Sequence, residues 1–242
     1  MIGENSMNIQ SGSMKPIKLI GIRACVFDAY GTLFDVSSVA RGAQAEIGEQ
    51  WQSLSDLWRS KQLQYTWLRG LSGQYADFWQ VTGDALDYAM LSLRLEDREL
   101  REKLMRLYLR LSAYPEVPEV LQDLKDGGMP LAILSNGTPN MLKSVASNSG
   151  IIDLFDEILS ADEIKTYKPH PSVYQLASNR LHVESENICF ISSNAWDAYS
   201  AKAFGFQVLW CNRFKQAPEN IPASPNAEIN DLFCLPNVIL TR

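Results

Sequence analysis

Residues 22–35 read IRACVFDAYGTLFD. The run from Ile22 to Phe27 is short and apolar, with Ile22 and Val26 β-branched, which predicts a buried strand. The run stops at Asp28, and Gly31 marks a tight turn directly after it. An acid closing a buried strand is costly unless it has partners or a task. Asp28 is therefore the first candidate for chemistry.

Downstream, from about residue 37 to residue 111, apolar side chains recur at three- and four-residue spacing, the signature of helices. The stretch holds Trp51, Trp58, Trp67 and Trp79, with Gly70 and Gly73 read as breaks. Past Tyr114-Pro115 the pattern becomes an alternation. A helix from about Pro118 stops at Gly127-Gly128, and a strand from Leu131 to Leu134 runs into Ser135-Asn136-Gly137. A helix follows with Thr138 as N-cap and Pro139 in its first turn. Then come a strand over Phe155–Leu159, a helix from Pro171 to Leu181 and a strand over Ile188–Ile191. A helix ending at Gly205 and a strand over Gln207–Trp210 complete the series.

Alternating strands and helices predict an α/β fold, a Rossmann-like parallel sheet with helices on both faces. The helical stretch is then an insert, an all-helical cap subdomain. The expected division is a core from 21–36 and 115–242, a cap over 37–114 and a disordered tail over 1–20. That polar beginning lacks a signal peptide's apolar stretch and reads as a tail, a late start codon or an expression remnant.

Composition narrows the function. The 242 residues are 46% hydrophobic and carry net charge -6, from 22 basic and 28 acidic residues. No basic run suits a phosphate backbone, so neither nucleic acid nor a membrane is an expected partner. No apolar run is long enough to span a bilayer, and the cytoplasm is the default location. Cys25, Cys189, Cys211 and Cys234 are scattered, without a CxxC pair, and read as reduced, mostly apolar residues. Two histidines, His170 and His182, make a His-based metal site improbable.

In open parallel sheets ligands bind beyond the carboxyl ends of the strands. One predicted strand end offers Asp28 and Thr32, another Ser135 and Asn136, a third Ser192, Asn194 and Asp197. Each alone suits a turn; three at equivalent places predict one shared crevice. Lys168, fixed by the following Pro169, supplies the positive charge.

These segments resemble the four ordered motifs of the haloacid dehalogenase superfamily: Asp28-Ala-Tyr-Gly-Thr32, Ser135-Asn-Gly, Lys168-Pro and Ser192-Ser-Asn-Ala-Trp-Asp197. Within it, the stretch from about Ile22 to Asn212 is similar to the (S)-2-haloacid dehalogenases. There, residues 58–67 (WRSKQLQYTW) resemble the substrate-pocket helix. Ser60 departs from the resemblance, which leads us to expect a larger polar residue there and implies an altered pocket.

Most members of the superfamily are phosphatases, which carry a second aspartate two residues after the nucleophile to protonate an alkoxide leaving group. Tyr30 stands at that position and has no carboxylate. Phosphatases also use Mg²⁺ held by clustered carboxylates, and here the fourth motif begins Ser192-Ser193-Asn194. Halide leaves without a proton, so both losses suit carbon–halogen cleavage.

The resemblance implies a metal-independent, cofactor-free hydrolase in which Asp28 attacks C2 of a small 2-haloacid and forms an ester that water hydrolyses. It implies that Thr32, Ser192, Asn194 and Asp197 orient Asp28, Lys168 and the water. Ser135 and the backbone around Asn136 hold the substrate carboxylate, and Arg59 receives halide. Tyr30, Leu63, Phe78 and Trp196 form the apolar pocket. Tyr174 also matches a family site residue, expected at the substrate, and a homodimer is the family's expected assembly. Taken singly, Leu63, Phe78 and Trp67 also suit helix packing, Arg59 a solvated surface, and Asp197 a helix first turn. A phosphatase with the same nucleophile and a silent binding module are the competing functions.

Overall fold

The computed structural model describes residues 17–240. The chain runs β1 (Ala24–Phe27), α1 (Ser38–Gly42), α2 (Gln44–Ile47), α3 (Trp51–Ser72), α4 (Phe78–Ser92), α5 (Arg98–Tyr108) and α6 (Val117–Asp126). It continues β2 (Leu131–Ser135), α7 (Pro139–Asn148), β3 (Glu157–Ser160), α8 (Pro171–Leu181) and β4 (Ile188–Ser192). It closes with α9 (Ala195–Phe204), β5 (Gln207–Cys211), β6 (Ala227–Ile229) and α10 (Leu235–Leu240). The strands form one parallel sheet in the order β3-β2-β1-β4-β5-β6.

Successive side chains of a strand point to opposite faces, and the sheet buries both. Cys25, Phe27, Leu131, Ile133, Cys189 and Ile191 pack with α6, α7 and the helical insert. Ala24, Val26, Ala132, Leu134, Ile188 and Phe190 pack with α8 and α9. Double burial explains why each strand reads as a continuous apolar run rather than as an alternation. β1 lies between β2 and β4, with Phe27 level with Ile133 on one side and Ile191 on the other. The three strand ends that carry the polar residues therefore stand side by side.

The insert α1–α5 leaves and rejoins the core at one place. Phe34 forms a bridge with Ala113, Asp35 N donates to Ser112 O at 2.9 Å, and Tyr114 N donates to Leu33 O at 3.0 Å. Beside this crossing, Arg213 reaches back from the loop after β5. Its Nη1 pairs with the Glu116 carboxylate, its Nη2 donates to Thr32 O at 3.0 Å, and its guanidinium lies 4.1 Å from the Tyr114 ring centroid.

Several expectations need correction. Gly70 does not break a helix: it lies within α3, which ends at Gly73, left-handed at φ 68°. The third strand starts at Glu157, because residues 152–154 form a 3₁₀ turn and Asp156 is engaged at Leu131 instead. β6 and α10 lay unread in the sequence. Residues 1–16 of the expected tail lie outside the described residues, whereas Ile20 exchanges two hydrogen bonds with the Gln207 side chain. Thr138 caps α7 as expected, its hydroxyl accepting from Met141 N at 3.3 Å. Among the described residues no helix is long and apolar enough to cross a membrane.

Candidate active site

Asp28 leaves the end of β1 with its amide tied to Ile191 O at 2.9 Å, and the turn at Gly31 (φ 88°) folds Thr32 back over it. Its Oδ2 accepts from Thr32 Oγ1 at 2.9 Å, from Asn194 Nδ2 at 2.7 Å and from Ser192 Oγ at 3.4 Å. Among the described residues its Oδ1 accepts from Lys168 Nζ alone, at 3.1 Å. Ser192 Oγ has one proton and lies closer to Asp197 Oδ2, at 3.1 Å, so Asp28 Oδ2 is held firmly by two donors while Oδ1 keeps lone-pair capacity. The Thr32 rotor is fixed too, because its Oγ1 also accepts from Ser193 N at 2.8 Å.

The Lys168 ammonium lies between two carboxylates, donating also to Asp197 Oδ2 at 2.8 Å, and 4.9 Å from the Phe190 ring centroid. Its backbone is fixed by Lys168 N donating to Asn136 Oδ1 at 2.8 Å, ahead of a cis peptide to Pro169. Burial pulls the Lys168 ammonium down, but Asp197 and Asp28 more than offset it, so it stays charged. Burial pushes Asp197 up to about 6, with Lys168 opposing. Tyr30, driven well above the ordinary phenol value by burial, is a poor proton donor.

Arg59 descends from α3. Its Nη2 donates to Asn194 Oδ1 at 3.1 Å, and its Nη1 donates to Gln62 Oε1 at 2.7 Å. Asn194 therefore links the guanidinium to the Asp28 carboxylate. The four charges Asp28, Asp197, Lys168 and Arg59 sum to zero, so an entering anion brings the chamber to a net charge of -1 and must be met by hydrogen-bond donors. Asp28, Tyr30, Arg59, Leu63, Phe78, Ser135, Asn136, Lys168, Asn194 and Trp196 line a chamber of about 10 Å³. That is room for roughly one water, so the cap is shut. Arg59, Leu63, Asn194 and Trp196 also face an outer cavity of about 630 Å³.

The sequence reading named all ten of these lining residues. Thr32, Ser192 and Asp197 stand around them through the hydrogen bonds given above. Tyr174 differs from its expected role at the substrate. It is fully buried behind the chamber, donating to Asp197 Oδ1 at 2.7 Å, so it positions the carboxylate. Ser60 is exposed and lines none of these cavities, so its departure leaves the chamber unaltered. Ser135 Oγ accepts from Gly137 N at 3.2 Å.

Two positions escaped the sequence reading. Gln62 is buried, donating to Thr82 Oγ1 at 2.7 Å and Tyr108 Oη at 3.1 Å while it holds Arg59. Its spacing was the available signal: Leu54, Trp58, Gln62 and Thr66 form one buried i, i+4 stripe. Gly137 is the other, since a Cβ there would meet Tyr30 Cε2 at 2.8 Å. Among the described residues no group of three or more His, Cys, Asp or Glu side chains is placed to hold a metal.

A buried carboxylate at the central strand end, beneath a helical lid, defines a hydrolase on a Rossmann-like core. The chain belongs to the haloacid dehalogenase-like hydrolase family, whose model matches residues 22–205. It is 47% identical to (S)-2-haloacid dehalogenase 4A of Burkholderia cepacia over 87% of this chain and 92% of that one. It is 46% identical to (S)-2-haloacid dehalogenase 1 of Pseudomonas sp. (strain CBS-3), over 90% and 97%. The L-2-haloacid dehalogenase from Xanthobacter autotrophicus, solved with chloropropionic acid covalently bound, superposes with TM-score 0.85 at 37% identity. That match covers 90% of this chain and 98% of the other.

Proposed function

We propose that the protein hydrolyses small (S)-2-haloalkanoic acids to (R)-2-hydroxyacids through an ester on Asp28. The observation that carries this reading is the asymmetry of Asp28: among the described residues Oδ2 is held by Thr32 and Asn194, with Ser192 Oγ further off, and Oδ1 only by Lys168. Oδ1 attacks C2 from behind the halogen, the C–O bond forms, and halide departs with the bonding electron pair. Water then adds to Cγ of Asp28 and the Cγ–O bond to the substrate breaks. The carboxylate is restored and the hydroxyacid leaves with one proton of the water; the other passes to solvent.

Arg59 receives the halide, and Ser135 with the backbone at Asn136 holds the substrate carboxylate. Tyr30, Leu63, Phe78 and Trp196 enclose the alkyl group. Thr32, Ser192 and Asn194 orient the nucleophile and the water, while Asp197, itself held by Tyr174, keeps Lys168 in place. A phosphatase is disfavoured by Tyr30, whose burial removes it as an acid, and by the amide of Asn194 where a metal site wants a carboxylate. The paired charges at Lys168 disfavour a silent module, because burying them without a task is costly. The reading includes a cytoplasmic location, supported by the free cysteines Cys25, Cys189, Cys211 and Cys234, and a homodimer and a helical cap over 37–114, supported by the family resemblance.

The experiment is a single turnover in heavy-oxygen water with enzyme in excess. The first hydroxyacid should be unlabelled, and the label should appear on Asp28 in its peptide. A labelled first product with Asp28 still light would make Asp28 a general base and end the ester mechanism. Halide release from 2-chloropropanoate beside phosphate release from a generic ester separates the competing functions.

A further inference from the structure

Behind Trp196 lies a second cavity, of about 410 Å³, walled by Trp67, Leu71, Tyr167, Pro169, Trp196 and Ile221. Lys168 and Trp196 border both this groove and the 10 Å³ catalytic chamber. The α3 face is continuous between them. Leu63 lines the chamber, and Trp67 and Gly70, at i+4 and i+7, line the groove. One helical stripe thus leads from the substrate's alkyl group into an apolar slot. The partition is aromatic: Trp67 and Trp196 meet edge to face, centroids 5.4 Å apart.

We propose that this groove takes the alkyl tail of 2-haloacids longer than propanoate, with the Trp67–Trp196 pair as the partition the tail displaces. The inference rests on the dehalogenase reading. The occupant follows from position, since a slot that begins at the wall around C2's substituent is reached by a chain growing from C2. Its lining surface is mostly apolar, as an alkyl tail requires, with Thr66, Thr166, His170 and Ser200 the polar exceptions beside Lys168, whereas the outer cavity beyond Arg59 carries the carboxylates Asp56 and Glu219.

The test compares 2-bromopropanoate with 2-bromohexanoate in the intact protein and in Gly70→Leu. Burial of each further methylene favours the longer acid about fourfold, roughly sixtyfold over three if burial is complete. The intact protein should therefore turn over the hexanoate with kcat/KM no worse than about tenfold below the propanoate. The variant should fold: Gly70 is helical, its Cβ meets Tyr167 at an ordinary 3.5 Å, and leucine is the better helix former. Filling the slot should lower the hexanoate-to-propanoate ratio about tenfold or more. An unchanged ratio in a folded variant overturns the groove. So does an intact protein that discriminates against hexanoate by more than about tenfold, whatever the variant does. Failure of the intact protein to release bromide from either acid overturns the dehalogenase reading instead.

Discussion

The Lys168 ammonium sits 3.1 Å from the Asp28 carboxylate with only 1% of its side chain exposed. On its far side, 2.8 Å away, is Asp197. A positive charge at the nucleophile is therefore supplied by the chain itself, and two buried anions depend on it.

Lys168→Met should remove both halves of that balance. Stranding two carboxylates should cost about 3–5 kcal/mol of stability, read as a lower midpoint in urea. Halide release should fall on the order of a thousandfold. The intact enzyme should keep its rate in EDTA, since its cation is covalently part of the chain. Loss on chelation with recovery in Mg²⁺ would point to the phosphatase chemistry.

Arg59 and Gln62 form the second polar unit. Arg59→Ala should lose turnover by about a hundredfold or more with little change in cooperative melting, because Arg59 is only partly buried. Gln62→Glu puts a carboxylate on the guanidinium. It should weaken inhibition by added bromide about tenfold, as expected when a competing anion sits on the site. Unchanged bromide inhibition would show that Gln62 merely packs.

The acid side of the pH profile belongs to the buried Lys168–Asp197 pair. Burial raises Asp197 to about 6, so its protonated form suits the fold better than its anion. Taken alone, that contribution to stability is complete below the ordinary 3.8 and is lost as pH rises through about 6. Lys168, raised by its two partners, contributes through its charged form, fully present below 10.5 and lost as pH rises through its folded value. Activity runs the other way at the acid end: as pH falls through about 6, Lys168 loses its Asp197 partner and kcat/KM should drop. Tyr174→Phe removes a donor from the Asp197 anion and should move this limb to higher pH. A profile flat across that pH would remove the pair from the chemistry.

The sheet was legible because doubly buried parallel strands read as apolar runs, and Asp28, Ser135 and Ser192 each mark where a run stops. Spacing could not show that Tyr174 faces Asp197 rather than substrate, because a helix position fixes direction only once its neighbours are placed. β6 was missed because three residues carry too little periodicity to stand out. Arg213 was missed because its partners, Thr32 O and Glu116, lie 181 and 97 positions earlier in the chain.

That pairing gives a further expectation. Arg213→Met leaves the buried Glu116 carboxylate unpaired and releases Thr32 O, so it should destabilise by about 3–5 kcal/mol. Glu116→Gln in the Arg213→Met background should recover much of the loss, measured as a double-mutant cycle in urea. Additive losses would mean that the two residues act independently.

The crossing at Phe34 and Ala113, where the insert departs and returns through one short antiparallel contact, makes the lid an exchangeable cassette. A segment whose two ends already touch can be lengthened or replaced with little change in loop closure, provided the new helices still cover Phe27, Ile133 and Ile191. Selection can then alter which molecules are admitted by rewriting residues on α3 and α4, while Asp28 and its neighbours are inherited intact. Diversity of substrates on one ancestral reaction centre is the evolutionary outcome that such a junction permits.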